Sequence, residues 1–247
     1  MRADDTTSPG PIRSLLTDHL GRRRTSRPMT SWAGDRAAFA AAAGWFAATA
    51  ATIDTEWDRP ALGDWTVRDL VGHTSRALLT VEAYLAAGAG AGTGAGAGAA
   101  ARAAARATVA STVDYYRLAM ASLGEPSAVA ARGHEAGLAL GPDPARTVAA
   151  IARRVIAVVD GAKSDARVAT PVGGMRLADY LPTRTFELTV HTCDLVAALG
   201  VPAVVPDAAA SAALRLVADL AVDSGLAATL LLAATGRGPL PAGFTVL

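Results

Sequence analysis

Cysteine and aromatic side chains are what this sequence has least of: one cysteine, Cys193, and a 5% share of Phe, Trp and Tyr. A single cysteine excludes an internal disulfide and gives no sign of an oxidising compartment. With few aromatics and a very large share of alanine, the composition leans to helix. Excess charge of one sign is lacking too. The 23 basic and 22 acidic residues leave a formal charge of +1, so no global field draws the chain to nucleic acid or to a membrane. No apolar run reaches the length of about 20 residues that a bilayer requires. The longest, Ala37 to Ile53, is mostly alanine and follows directly on Asp35 and Arg36. Arg22, Arg23 and Arg24 before that run do not make a secretion signal. The run meets Asp54 and Glu56 and not a small-residue cleavage site. The expectation is a cytoplasmic protein, monomeric or homodimeric.

What is present is a series of helical signals. Residues 1–28 hold Asp4, Asp5, a triple arginine and few large apolar side chains, and are expected to be a disordered tail. A first helix is expected from Ser31, as N-cap, to about Ile53. A second opens on Thr66 as N-cap, with Asp69 at the third position as a near capping box and Trp65 as a staple residue. Gly88 to Gly98 is almost pure Gly and Ala and reads as a flexible connection. Helix is expected again from Ala99 to Leu123, then a Gly- and Pro-rich loop over Gly133 to Pro144, then helix from Ala145 to about Lys163. Val168 to Met175 reads as an irregular turn. Leu177 to Leu199 is a long helix closed by Gly200, with Pro182 marking either its start or a kink. Pro206 to Ser224 and Leu226 to Thr235 complete the set. The fold class expected is all-α: an antiparallel four-helix bundle over 29–200 with a C-terminal helical appendage over 201–247.

Chemistry concentrates on the helix around His191. At about 100° per residue, Arg184, Glu187, His191 and Asp194 share an arc of roughly 80°. Cys193 points to the opposite side and reads as a small buried hydrophobe. A solvated outer face also gathers charges, but this arc has no Lys and no repeated Glu/Lys pairing. Glu187 and His191 stand four apart, which puts both donors on adjacent turns and within reach of one ion. His73 is the other histidine in a strong helix, where a packed boundary residue is the alternative to a ligand. His19 falls in the tail and His134 in the Gly-flanked loop. Two His and one Glu suit zinc or another borderline ion better than calcium or magnesium. Three ligands also leave one coordination position open, as catalytic zinc sites do.

Two segments carry a resemblance. Trp65-Thr66-Val67-Arg68-Asp69-Leu70-Val71-Gly72-His73 is similar to the second-helix signature of the mycothiol-dependent maleylpyruvate isomerase family, within the DinB-like four-helix-bundle superfamily. The block from Arg184 to Leu195 resembles that family's other motif, Arg-x-x-Glu-x-x-x-His-x-x-Asp-Leu. The resemblance spans about Ser31 to Gly200. It implies a DinB-like bundle, metal ligands at His73, Glu187 and His191, and mycothiol, a low-molecular-weight thiol, bound with its sulfur toward the metal. The isomerases bear a further C-terminal domain. Here 47 residues follow Gly200, so a short appendage is expected in its place.

A thiol beside a divalent metal is deprotonated and attacks an activated alkene. Addition, rotation and departure give cis–trans isomerisation; a retained adduct gives S-transfer. Arg184 is the candidate to bind a carboxylate of substrate or thiol, or else it forms a salt bridge to Glu187 or Asp194. Asp194 is the candidate to accept the free ring N–H of His191. The expected partners are thus a small-molecule thiol and an electrophilic substrate. Two other function classes fit the same residues: a metal-dependent hydrolase with water as nucleophile, and a helical binding module with a structural metal.

Overall fold

A computed structural model describes residues 31–93, 109–122 and 126–247, all within one compact unit, Ser31–Leu247. The expected tail, most of the Gly/Ala connection and the first half of the helix expected from Ala99 lie outside the described residues. The described elements are α1 (Trp32–Ala50), a 3-10 turn (Glu56–Asp58), α2 (Val67–Thr93), α3 (Thr112–Ala121), α4 (Pro126–Ala139), α5 (Pro144–Gly161), β1 (Arg167–Thr170), β2 (Gly173–Arg176), α6 (Leu177–Leu199), α7 (Asp207–Asp223) and α8 (Ala227–Ala234). The described residues are all-α apart from one two-stranded hairpin.

Local chemistry sets the helix starts. The Ser31 hydroxyl accepts from the Gly34 N–H, so α1 begins as expected, though it ends at Ala50 and not Ile53. At α2 the capping box is complete: Asp69 N donates to Thr66 Oγ1 at 3.2 Å and Thr66 N donates to Asp69 Oδ2 at 3.1 Å. At α3 the Ser111 hydroxyl accepts from Asp114 N and donates to Asp114 Oδ2. Asp143 caps α5, with Pro144 in the first turn, where its missing N–H costs nothing. Gly200 closes α6 with φ 72°, in the left-handed region.

Four long helices make the bundle. α1 and α2 each pack against both α5 and α6, and their inward faces form one core. Phe39 and Phe46 of α1, Leu70 and Leu78 of α2, and Tyr180, Leu181, Leu188 and Leu195 of α6 are fully buried. Each such Leu or Phe contributes about 1.5–3 kcal/mol relative to exposure. α7 packs on α1 and α6 and adds Ala209, Ala213, Leu216 and Leu220 to the same core. The buried hydroxyls of the inner helices turn back on their own backbones. Thr74 and Ser75 donate to Leu70 O and Val71 O; Thr185, Thr189 and Thr192 donate to Leu181 O, Thr185 O and Leu188 O.

Four expectations fail here, wholly or in part. Of the loop expected over Gly133 to Pro144, Gly133 to Ala139 is the second half of α4, and only 140–143 connect it to α5. Its glycines do not break the helix but admit close packing: a Cβ on Gly72 of α2 would stand 2.2 Å from the backbone nitrogen of Gly137. The turn expected over Val168 to Met175 is the antiparallel hairpin β1–β2, with Val168 opposite Met175. Leu177 N and Ala178 N donate to Ala166 O and Ser164 O, so backbone flanking the hairpin serves the α6 terminus, where no side chain caps it. Pro182 starts nothing, since α6 begins at Leu177 and runs through it. The Gly/Ala stretch is helical as far as Thr93, an extension that its alanines favour.

Candidate functional site

α2 and α6 bring the candidate residues together. The capping box fixes where α2 starts, and so the direction in which His73 points about two turns later. The His73 ring stacks on Trp65 at 4.4 Å between centroids and meets the His191 ring edge-on at 4.9 Å. Trp65, expected as a local staple, reaches beyond its own helix. Its Nε1 donates to Ala130 O of α4 at 3.1 Å, and Gly133 leaves space for the indole, which a Cβ there would meet at 2.5 Å. Trp65 therefore ties α2 to α4 and walls His73.

On α6 three of the four expected residues interact directly. His191 Nε2 lies 3.3 Å from Glu187 Oε2, and His191 Nδ1 lies 3.1 Å from Asp194 Oδ2. Tyr116 of α3 donates its hydroxyl to Glu187 Oε1 at 2.8 Å. Arg184, one turn earlier, does not form the salt bridge considered for it: among the described residues no carboxylate lies within 4.0 Å of its guanidinium. Its Nε donates to Thr183 Oγ1 at 2.9 Å and its Nη2 reaches Tyr115 Oη at 3.5 Å. Its charge sits over the faces of Tyr180, at 5.0 Å, and Tyr115, at 5.6 Å. Tyr84 packs on Tyr180, so all four tyrosines of the chain line this end of α6.

Charge separates the two histidines. Burial, reinforced by the positive charge of His191, pushes His73 down to about 4, leaving it neutral at pH 7. Burial opposes charge on His191 as well, but the hydrogen bonds to Asp194 and Glu187 outweigh it and raise that ring to about 9. Burial would likewise raise Glu187, yet the His191 hydrogen bond and the Arg184 charge bring it down to about 2. Tyr116 is pushed well above its ordinary value by burial and by the carboxylate it contacts, so its proton stays on.

Whether these residues suit a divalent ion can be judged from their donors. His73 is neutral, the form that ligates metals, and its Nδ1 is buried without a hydrogen-bond partner. The 3.3 Å between His191 Nε2 and Glu187 Oε2 matches the separation of about 3.3 Å between two donors at ordinary zinc bond lengths and a tetrahedral angle. Among the described residues no group of three or more His, Cys, Asp or Glu side chains stands close enough together to hold a metal ion. By residue type His73, Glu187 and His191 suit a borderline ion, but in this arrangement only His191 and Glu187 stand at ligand-like separation, as an ion pair.

Other placements differ from expectation. Cys193 is only half-buried. His134 stands on α4, with Nδ1 3.2 Å from Oδ1 of the buried Asp69. The sequence motifs do not include the tyrosines. Tyr180, four residues before Arg184, falls on the same helical arc, and extending that arc one turn finds it. Tyr116 and Trp65 reach the site only through tertiary packing.

No helix among the described residues is long and apolar enough to cross a membrane. Comparison with curated proteins and with solved structures finds no match. The sequence model of the mycothiol maleylpyruvate isomerase N-terminal domain matches residues 36–196, a span that holds both motifs and every residue placed above at the α2–α6 face. With well over half of its length matched, the chain belongs to the mycothiol maleylpyruvate isomerase N-terminal domain family.

Proposed function

We propose that this chain is a cytoplasmic metal-dependent enzyme that uses mycothiol as a nucleophile toward an activated alkene, for cis–trans isomerisation or S-transfer. The observation that carries this reading is the neutral, part-buried His73, whose buried Nδ1 lacks a partner, facing a His191–Glu187 pair at ligand-like separation. His73, Glu187 and His191 would hold the ion, zinc by its donor set, and the ion would supply the charge that keeps a bound thiol as thiolate at neutral pH.

The remaining roles fall to the protein's own groups. Asp194 accepts the Nδ1–H of His191 and so fixes the tautomer that leaves Nε2 for the ion. Arg184 has no carboxylate partner of its own among the described residues, and it offers a guanidinium backed by two tyrosine faces to a carboxylate of the electrophile. The thiolate sulfur adds to the conjugated carbon and the alkene electron pair moves onto the adjoining carbonyl. The former double bond turns as a single bond, and the thiolate leaves as the pair returns. No proton is gained or lost overall.

Equilibrium binding of mycothiol, with Zn2+ present and after chelation, tests the proposal. Binding that requires the metal is the expected result. No binding in either state removes the thiol reading, and ester or amide hydrolysis that proceeds without any thiol would favour a hydrolase instead.

A further inference from the structure

Glu187 has two carboxylate oxygens with different partners. Oε2 faces His191 Nε2 at 3.3 Å, and Oε1 accepts the Tyr116 hydroxyl at 2.8 Å. The Tyr116 hydroxyl also lies 3.4 Å from Thr183 O. It has one proton to give, and the shorter, charge-assisted bond to the carboxylate is the stronger claim on it. The Tyr116 ring cannot easily turn away. It is buried, with Tyr115 edge-on at 5.8 Å and Phe186 edge-on at 5.7 Å. It also comes from α3, a separate element, so its position does not follow from the α6 backbone that carries Glu187.

Resting on the metal-site reading above, we infer that Tyr116 is a positioning residue that holds Glu187 to one-oxygen ligation. A carboxylate with both oxygens free can chelate an ion and fill two coordination positions. With Oε1 engaged by the phenol, Glu187 offers Oε2 alone, on the His191 side, and one position stays available to the thiol. The hydroxyl touches neither thiol nor electrophile. Its effect passes through Glu187, as outer hydrogen bonds do at other metal sites.

Tyr116→Phe removes the hydroxyl and little else, and Co2+ serves as the probe because its visible absorption weakens as coordination number rises. For the full-length wild-type chain and the variant, Co2+ affinity, the Co2+ spectrum and the thermal midpoint of the chelated protein are measured together. The inference requires the visible bands of the variant to weaken, as the freed carboxylate takes up a second coordination position. A variant with wild-type affinity and an unchanged spectrum, even with a lowered midpoint, shows that Tyr116 only fills space and overturns the inference. If the wild-type chain takes up neither Co2+ nor Zn2+, the metal-site reading itself falls and the inference falls with it.

Discussion

Substituting Gly72 by alanine gives opposite predictions depending on whether helix propensity or packing governs the site. In an isolated helix the change stabilises by about 1 kcal/mol. In this fold the new Cβ would lie 2.2 Å from Gly137 N and 2.5 Å from both Gly137 Cα and Ala136 C. These are backbone atoms of α4, and no rotamer can move them aside. Reaching ordinary contact at about 3.5 Å requires α2 and α4 to part by roughly 1 Å. That movement strains the Trp65–Ala130 and His134–Asp69 hydrogen bonds that join them. Overpacking of this kind costs about 1–3 kcal/mol, and the two bonds add about 1 kcal/mol each. Setting the propensity gain against these leaves a net destabilisation of about 2–4 kcal/mol, or a fall in Tm of roughly 4–16 °C for a chain of this size.

Gly44 supplies the control. It lies inside α1, exposed, and its added Cβ meets nothing within 4 Å, so Gly44→Ala should raise stability by up to about 1 kcal/mol. Thermal and urea unfolding of both variants, with circular dichroism as the readout, decides the matter. Should Gly72→Ala stabilise as Gly44→Ala does, the helices do not approach as described and the packing argument is wrong.

Other predictions concern the site. His191→Ala should abolish stoichiometric metal while keeping most of the helical signal, since its ring is not core-forming; full metal retention by both His191→Ala and His73→Ala would sink the ligand assignment. In the metal-free chain, ring NMR should find His73 protonating only near pH 4 and His191 losing its extra proton near pH 9. His191, raised above the unfolded value of about 6.5, contributes stability that is complete below that pH and lost as pH climbs through 9. His73, lowered, costs stability as pH falls from 6.5 toward 4. Two rings titrating together near 6.5 would contradict the electrostatics. Arg184→Lys should raise KM for a carboxylate-bearing electrophile about 30-fold, from the loss of roughly 2 kcal/mol of paired charge-assisted bonding, with little effect on a neutral ester of the same electrophile. Equal effects on both substrates would argue against carboxylate recognition by Arg184.

Much of the bundle and of the α6 site is legible in the amino-acid sequence, and the parts that are not share a cause. The caps at Ser31, Thr66 and Gly200 are local chemistry, so their helices start or stop where the residues say. The arc on α6 follows from helical phase alone, and Glu187, His191 and Asp194 do interact. The second half of α4 reads as a loop because Gly133 and Gly137 resemble breakers in isolation. Their function, contact with Trp65 and with α2, lies 65 or more residues away in sequence. The hairpin escapes a sequence reading because four-residue strands, the second opening on two glycines, carry little alternation. Tyr116 leaves no trace near Glu187 for the same reason as Trp65: a hydrogen bond spanning 71 positions has no local pattern.

The inward-turned hydroxyls of α2 and α6 have a mechanical consequence. Thr74, Ser75, Thr185, Thr189 and Thr192 spend their protons within their own helices, so they do not stitch the seam between them. What does cross it is the Tyr180 hydroxyl, donated to Thr80 at 3.0 Å, seven positions along α2 from His73. The two helices thus work like a caliper, pinned at Thr80 and Tyr180 and smooth along the jaws. Opening or closing the His73–His191 gap by a few tenths of an ångström breaks no hydrogen bond between those hydroxyls and the facing helix. Side-chain volume along the seam therefore helps to set the gap, and a methyl group added or removed there will retune it.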